Sequence, residues 1–175
     1  LEHNALELYY QPIVNLESGR CEAVEALLRW RHPELGFIPP NEVIQVAEEF
    51  QLAEKLGSWV LNTACEQLHQ WQHLGLVDLQ MCVNISPGMY QRNLLKLVAK
   101  ALMEHHIPAS CLVLEVTEDT TMREVKNSLQ LMQDLSQQGV HLALDDFGTG
   151  YSSLSYLQKL PVSKVKIDRS FIQGI

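Results

Sequence analysis

Apolar runs short enough to be strands alternate along this chain with amphipathic stretches long enough to be helices, and this alternation restricts the fold more than any other feature. Leu6-Glu7-Leu8-Tyr9-Tyr10-Gln11 alternates apolar and polar residues up to Pro12, which predicts a first strand that stops at a turn over residues 15–20. Five more strands are expected over residues 23–28, 79–85, 111–116, 140–145 and 165–168. Between them, apolar residues recur at helical spacing. Val43, Ile44 and Ala47 mark a first helix, after a proline-containing loop over 32–40 and a candidate N-cap at Asn41 with Glu42 in the first turn. Val60, Ala64, Leu68 and Trp71 mark a second helix that ends at Gly75. Leu94, Val98, Ala101 and Leu102 fall within a third over 90–104, and Val125, Leu129, Met132 and Leu135 within a fourth that ends at Gly139.

Strands separated by crossover helices build a parallel sheet, either doubly wound or closed as a (β/α) barrel. No G-x-G-x-x-G follows the first strand, and no G-x-x-x-x-G-K-[ST] occurs anywhere. The usual nucleotide cradles of open sheets are therefore missing, which favours the barrel. A chain of 175 residues with 46% hydrophobic content fits one packed domain.

Charge narrows the partners. A net charge of -8 excludes a non-specific grip on a nucleic-acid polymer, which needs clustered Lys and Arg. No apolar run approaches the roughly 20 residues of a membrane span, and the start lacks the order of a signal peptide, so a cytoplasmic segment without membrane contact is expected. Cys21, Cys65, Cys82 and Cys111 show no C-x-x-C spacing and read as reduced thiols. His69 and His73 have the i, i+4 spacing that zinc can use, but no Glu follows His69 and no third ligand is close in sequence. Surface histidines are expected there.

The active site of a (β/α) barrel lies at the carboxyl ends of its strands. Glu25, Asn84, Glu115, Asp145, Asp146 and Lys166 all fall at or near such ends, one strand after another. Carboxylates and an amide oxygen make a hard-oxygen site that suits Mg²⁺ or Mn²⁺. Two ions are expected rather than one, because carboxylates crowded together otherwise repel one another and take up protons. Two divalent ions can activate water and stabilise in-line displacement at phosphorus, so the expected reaction is hydrolysis of a phosphate ester.

Glu25-Ala26-Leu27 followed by Leu28-Arg29-Trp30 resembles the signature of the EAL family of cyclic di-GMP phosphodiesterases. The resemblance continues through Tyr10-Gln11-Pro12-Ile13, Val83-Asn84-Ile85-Ser86, Leu114-Glu115-Val116-Thr117-Glu118, Asp145-Asp146-Phe147-Gly148-Thr149-Gly150-Tyr151-Ser152-Ser153-Leu154 and Lys166-Ile167-Asp168-Arg169-Ser170-Phe171. It implies a (β/α)8 TIM-like barrel, of which residues 1–175 are a single EAL domain covering about six strands. The family's two later strands, one with a further Glu and one with a substrate-contacting Gln, are expected beyond Ile175.

By resemblance, Glu25, Asn84, Glu115 and Asp145 hold the first metal and Asp146 serves the second. Lys166 holds the attacking water, and Glu118 ties down the loop over 146–153, which the family also uses in homodimer contacts. Gln11, Leu27, Arg29 and Asp168 contact cyclic di-GMP, which is opened to linear pGpG. Val43, Gln45 and Met89 depart from residues common in the family but lie off the metal site. Sensory or cyclase domains are expected elsewhere in the parent chain. The alternative is a catalytically silent cyclic di-GMP receptor or interaction module, a role that usually accompanies substitutions at the positions of Glu25 or Asp145-Asp146, where this chain has none.

Overall fold

The computed structural model describes residues 5–91, 93–123, 125–148 and 157–171. Strands β1 (Leu6–Val14) and β2 (Cys21–His32) form an antiparallel hairpin. The connection over residues 15–20 is far too short for a parallel crossover, which takes about a dozen residues or more. Asn15 closes the turn: its Oδ1 accepts from the Glu17 and Ser18 amides at 2.9 Å each, and Gly19 supplies the left-handed residue at φ 69°. The first strand is therefore antiparallel to its neighbour, not a member of the expected parallel set. It also runs on through Pro12, which the ladder tolerates because β1 is an edge strand.

A three-residue strand, β3 (Gly36–Ile38), pairs antiparallel with the end of β2, inside the stretch expected to be loop. Helix α1 (Pro40–Glu49) starts ahead of the expected cap Asn41. Pro40 has φ preset for the first helical position, and extended Pro39 takes the cap without a side-chain hydrogen bond. The chain continues as α2 (Ala53–His73), β4 (Gln80–Asn84), α3 (Leu94–Glu104), β5 (Leu112–Thr117), α4 (Glu118–Arg123), α5 (Val125–Gln137), β6 (His141–Phe147) and β7 (Lys164–Ile167). The sheet order is β1-β2-β4-β5-β6-β7, with β2, β4, β5, β6 and β7 parallel.

Alternation along each strand divides the sheet into two faces. Val24, Ala26, Met81, Val83, Leu112, Leu114, Val116, Leu142 and Leu144 point to one face and are buried against Leu61, Ala64, Cys65 and Leu68 of α2, Val98 and Ala101 of α3, and Met132 and Leu135 of α5. Each such leucine contributes about 1.5–3 kcal/mol by leaving water. An edge-on contact between Tyr10 and Trp71, with ring centroids 4.9 Å apart, ties the edge hairpin to α2.

At the outer edges of β1 and β7 no strand pairs among the described residues. On β7, Val165 and Ile167 are 41% and 66% exposed, although the neighbouring strands have helices over that face. None of the described helices is long and apolar enough to cross a membrane.

The layered core predicts that Leu114→Ala, at a fully buried strand position, costs about 2–5 kcal/mol. Leu16→Ala, at a residue 99% exposed in the hairpin turn, should stay within about 0.5 kcal/mol. Equal losses of denaturant stability in the two variants would contradict this layering.

Candidate metal centre at the strand ends

Neighbouring residues in a parallel ladder point to the same face, so register decides what meets on the side away from the helices. Glu25 pairs with Cys82, Asn84 with Glu115, Glu115 with Ala143, Thr117 with Asp145, and Ala143 with Lys164. Ala23, Cys82, Val113 and Ala143 form a small buried cluster of their own on this face. One step further toward the carboxyl ends stand Glu25, Asn84, Glu115 and Asp145. Small residues beneath leave the carboxylates room to converge. Burial, then the nearby Glu115 charge, raises the Cys82 thiol to about 12, so it stays a neutral part of this floor.

Lys166 is the centre of the group. Its Nζ lies 2.6 Å from Glu115 Oε2, 3.2 Å from Glu25 Oε2 and 3.3 Å from Asp145 Oδ2. Those three carboxylates each place an oxygen within 4.8 Å of the others. Asn84 Nδ2 donates to Glu25 Oε1 at 2.7 Å, which leaves the amide oxygen available as an acceptor. Burial works against the Lys166 charge, but the Glu115 hydrogen bond and the charges of Glu115, Asp145 and Glu25 outweigh it and raise the ammonium above its usual range. Burial, together with repulsion from Glu25 and Asp145, raises the Glu115 carboxyl in spite of Lys166. One ammonium does not neutralise this many carboxylates.

The sequence-predicted residues divide by position. Glu25, Asn84, Glu115, Asp145 and Lys166 are brought together as expected. Asp146 stands beside them in the left-handed conformation at φ 53°, and its amide donates to Asp145 Oδ1 at 3.0 Å. Burial, then repulsion from Asp145 and Asp168, raises its carboxyl. Asp168 follows β7 and accepts from the Ser170 amide at 2.9 Å.

Glu118 is buried at the start of α4, where its Oε2 accepts from the Gly148 amide at 3.2 Å. Gly148 is at φ 98°, and a Cβ there would meet the Phe171 ring at 2.7 Å, so only glycine fits the position. The remainder of the loop that Glu118 was expected to hold, residues 149–153, lies outside the described residues.

Gln11 pairs with Glu25 across the hairpin and shares its face, as do Leu27 and Arg29 further along β2. The Arg29 guanidinium lies 5.7 Å from the centroid of the Tyr9 ring and donates to the Leu28 carbonyl at 2.8 Å. These residues flank the carboxylates from the hairpin side.

Three features of this face escaped the sequence reading. Lys164 Nζ donates to Gln80 Oε1 at 2.6 Å, a polar contact between β7 and β4. Both residues sit two positions before residues already singled out, and strand alternation could have identified them. Tyr9, which carries Arg29 over its ring and whose hydroxyl accepts from Arg31 at 3.1 Å, alternates with Gln11 and was legible by the same rule. The Thr117 and Thr120 hydroxyls lie 2.8 Å apart at the β5–α4 junction, a contact with no sequence signature.

The donor set fits a hard divalent cation: oxygen ligands only, an excess of negative charge, and ligand atoms gathered from three strands. Mg²⁺ or Mn²⁺ should therefore raise the melting temperature, by an amount equivalent to about 2.7 kcal/mol at 100 times its dissociation constant. Glu115→Gln should abolish that rise, and an undiminished rise would exclude Glu115 as a ligand.

Because the Glu115 and Asp146 carboxyls stand above their usual values, protons compete with the metal at higher pH than at ordinary carboxylates. Metal affinity measured by calorimetry should fall on acidification before the pH reaches the range in which exposed carboxylates titrate. In the metal-free protein the sign is opposite: a raised carboxyl costs stability above its folded pKa, and that cost disappears as it takes up a proton.

The EAL domain family model matches residues 1–175. The bifunctional diguanylate cyclase/cyclic di-GMP phosphodiesterase MucR of Pseudomonas aeruginosa is 46% identical over 176 residues, which cover 100% of this chain and 26% of MucR. The cyclic di-GMP phosphodiesterase NbdA of the same organism is 42% identical over 176 residues, covering 100% of this chain and 22% of NbdA. The structure of the MucR phosphodiesterase in complex with c-di-GMP is similar with a TM-score of 0.93 at 45% identity, over 98% of this chain and 70% of that one. The chain thus spans about a quarter of these relatives' length, and its sheet and helices form part of a TIM-like barrel. By its sequence over the whole length and by its fold, this chain belongs to the EAL domain family.

Proposed function

We propose that this segment is part of a metal-dependent phosphodiesterase domain that hydrolyses cyclic di-GMP to linear pGpG. The observation that carries the reading is the convergence of Glu25, Glu115 and Asp145, from three strands, on one point beside Lys166. The similarity to MucR and NbdA, both named as cyclic di-GMP phosphodiesterases, supplies the substrate class.

Glu25, Asn84, Glu115 and Asp145 would hold one Mg²⁺ or Mn²⁺, and Asp146 would serve a second. When bound, such ions supply Lewis acidity at phosphorus and make a water acidic enough to attack. The water oxygen would bond to phosphorus as the bond from phosphorus to a ribose oxygen breaks; the water gives up a proton, the leaving ribose oxygen takes one up as a hydroxyl, and the ring opens at one phosphodiester. Lys166, whose ammonium reaches all three carboxylates, serves this step as a hydrogen-bond donor that orients the water and offsets charge gathering on the phosphoryl oxygens. Glu118 holds the Gly148 amide and with it the turn that carries Asp146. Gln11, Leu27, Arg29 and Asp168 lie around the carboxylates as substrate contacts. Arg29 provides the positive charge that an anionic dinucleotide needs beside so acidic a centre.

The coverage of 70% of the MucR phosphodiesterase chain and the exposed Val165 and Ile167 support a domain that continues with further strands, one of them bringing another carboxylate. The low coverage of MucR and NbdA supports flanking sensory or cyclase domains in the parent protein. A homodimer formed through the loop over 146–153 and a cytoplasmic site of action complete the reading.

Incubating the full-length protein with cyclic di-GMP and Mg²⁺ or Mn²⁺ should yield pGpG, and Ca²⁺ should bind but support little turnover because its coordination is looser. Binding of cyclic di-GMP with no pGpG under either metal would instead identify a receptor. Lys166→Ala should lower kcat by about 10²-fold or more with little change in substrate affinity. Unchanged turnover in that variant would remove Lys166 from the reaction.

A further inference from the structure

The β1–β2 hairpin sets a row of side chains on the face that carries the carboxylates: Gln11 opposite Glu25, Tyr9 opposite Leu27 and Glu7 opposite Arg29. Diagonal neighbours across such a hairpin stand about 7–8 Å apart, within reach of an aromatic ring and a long side chain. Arg29 takes the diagonal. Its guanidinium carbon lies 5.7 Å from the centroid of the Tyr9 ring, and its Nη1 donates to the Leu28 carbonyl at 2.8 Å. Among the described residues Arg29 makes no salt bridge, although Glu7 is its direct partner in the register. The guanidinium is thus held by a ring face and a carbonyl, neither of which neutralises its charge.

The ring is itself held. The Tyr9 hydroxyl accepts from Arg31 Nη2 at 3.1 Å, so a second arginine, two residues further along β2, fixes the far end of the side chain. Packing does not account for Tyr9. Leu6, Leu8 and Tyr10, on the other face of the same strand, pack against the main core, whereas Tyr9 is 43% exposed and stands outside it. What Tyr9 touches on its own face is cationic.

We propose that Tyr9 is a positioning residue for substrate binding: its ring holds the Arg29 guanidinium on the carboxylate-bearing face, charged and ready for a phosphodiester of cyclic di-GMP. The inference rests on the reading of Arg29 as a substrate contact and adds what fixes it. A long, flexible side chain that is already in place loses less freedom when the ligand arrives. Without the ring, the guanidinium can swing across to Glu7 and be neutralised there, and the anionic ligand then has to compete with a carboxylate.

The test is a calorimetric titration of the full-length protein with cyclic di-GMP, with Ca²⁺ in place of Mg²⁺ to keep turnover low. It compares the unaltered chain with Tyr9→Leu, Tyr9→Phe, Arg29→Ala, and Tyr9→Leu combined with Arg29→Ala. Tyr9→Leu should weaken binding about two- to fivefold, the range that an exposed contact between a cation and a ring gives. Tyr9→Phe keeps the ring and should lose less. In the Arg29→Ala background Tyr9→Leu should cost nothing further, whereas a merely structural role would cost the same in both backgrounds. An unchanged Kd in Tyr9→Leu, or an equal loss with and without Arg29, would overturn the positioning role. A loss in Tyr9→Phe as large as that in Tyr9→Leu would overturn the ring face as what carries it. If Arg29→Ala binds as tightly as the unaltered chain, the assignment of Arg29 as a substrate contact fails and this inference with it; if the unaltered chain does not bind cyclic di-GMP, the substrate itself is wrong.

Discussion

Carboxylates on neighbouring strands cannot share one face of a sheet without a cation, and the organisation of this chain follows from that constraint. Glu25, Glu115 and Asp145 are placed by register, and no local adjustment moves one of them away without breaking the ladder. Lys166 supplies one positive charge, held within 3.3 Å of all three. The arrangement binds β7 to β2, β5 and β6 through side chains as well as through backbone pairing. It also leaves negative charge uncompensated, and a divalent ion meets that need with the all-oxygen ligand set it prefers.

The two faces of the sheet divide the work. Leucines, valines and methionines facing the helices make a dry, closely packed layer whose burial offsets the entropy of ordering the chain. The opposite face is small at its floor, with Ala23, Cys82, Val113 and Ala143, and ionic just above. Placing charge on the face away from the helices keeps its desolvation out of the main core. Flexibility is also rationed near the site: Asp146 takes a left-handed conformation that Asp tolerates better than bulky residues do, and Gly148 admits the Phe171 ring where any side chain would clash.

Much of this was legible in the sequence, for identifiable reasons. The runs that became β4, β5 and β6 are mostly apolar on both faces and carry an Asn or a carboxylate at or near the end, which marks a buried strand delivering chemistry at its carboxyl end. The direction of the first strand was misread because the overall strand-helix rhythm outweighed the short turn over 15–20, which on its own requires an antiparallel hairpin. The start of α1 was misplaced by favouring an Asn cap over the conformational preference of Pro39-Pro40. Tyr10 against Trp71 joins residues far apart in sequence. Such a pair depends on how the edge hairpin packs on α2, and no local pattern announces it.

The central claim, that the Lys166-centred carboxylate cluster is a divalent-metal centre, is tested most directly by locating Mn²⁺ crystallographically from its anomalous scattering. The account predicts a strong peak among the carboxylates of Glu25, Glu115 and Asp145 and the amide oxygen of Asn84, with the Lys166 ammonium displaced from at least one of its three carboxylate partners. Mn²⁺ bound elsewhere, with Lys166 still paired to all three carboxylates, would contradict it.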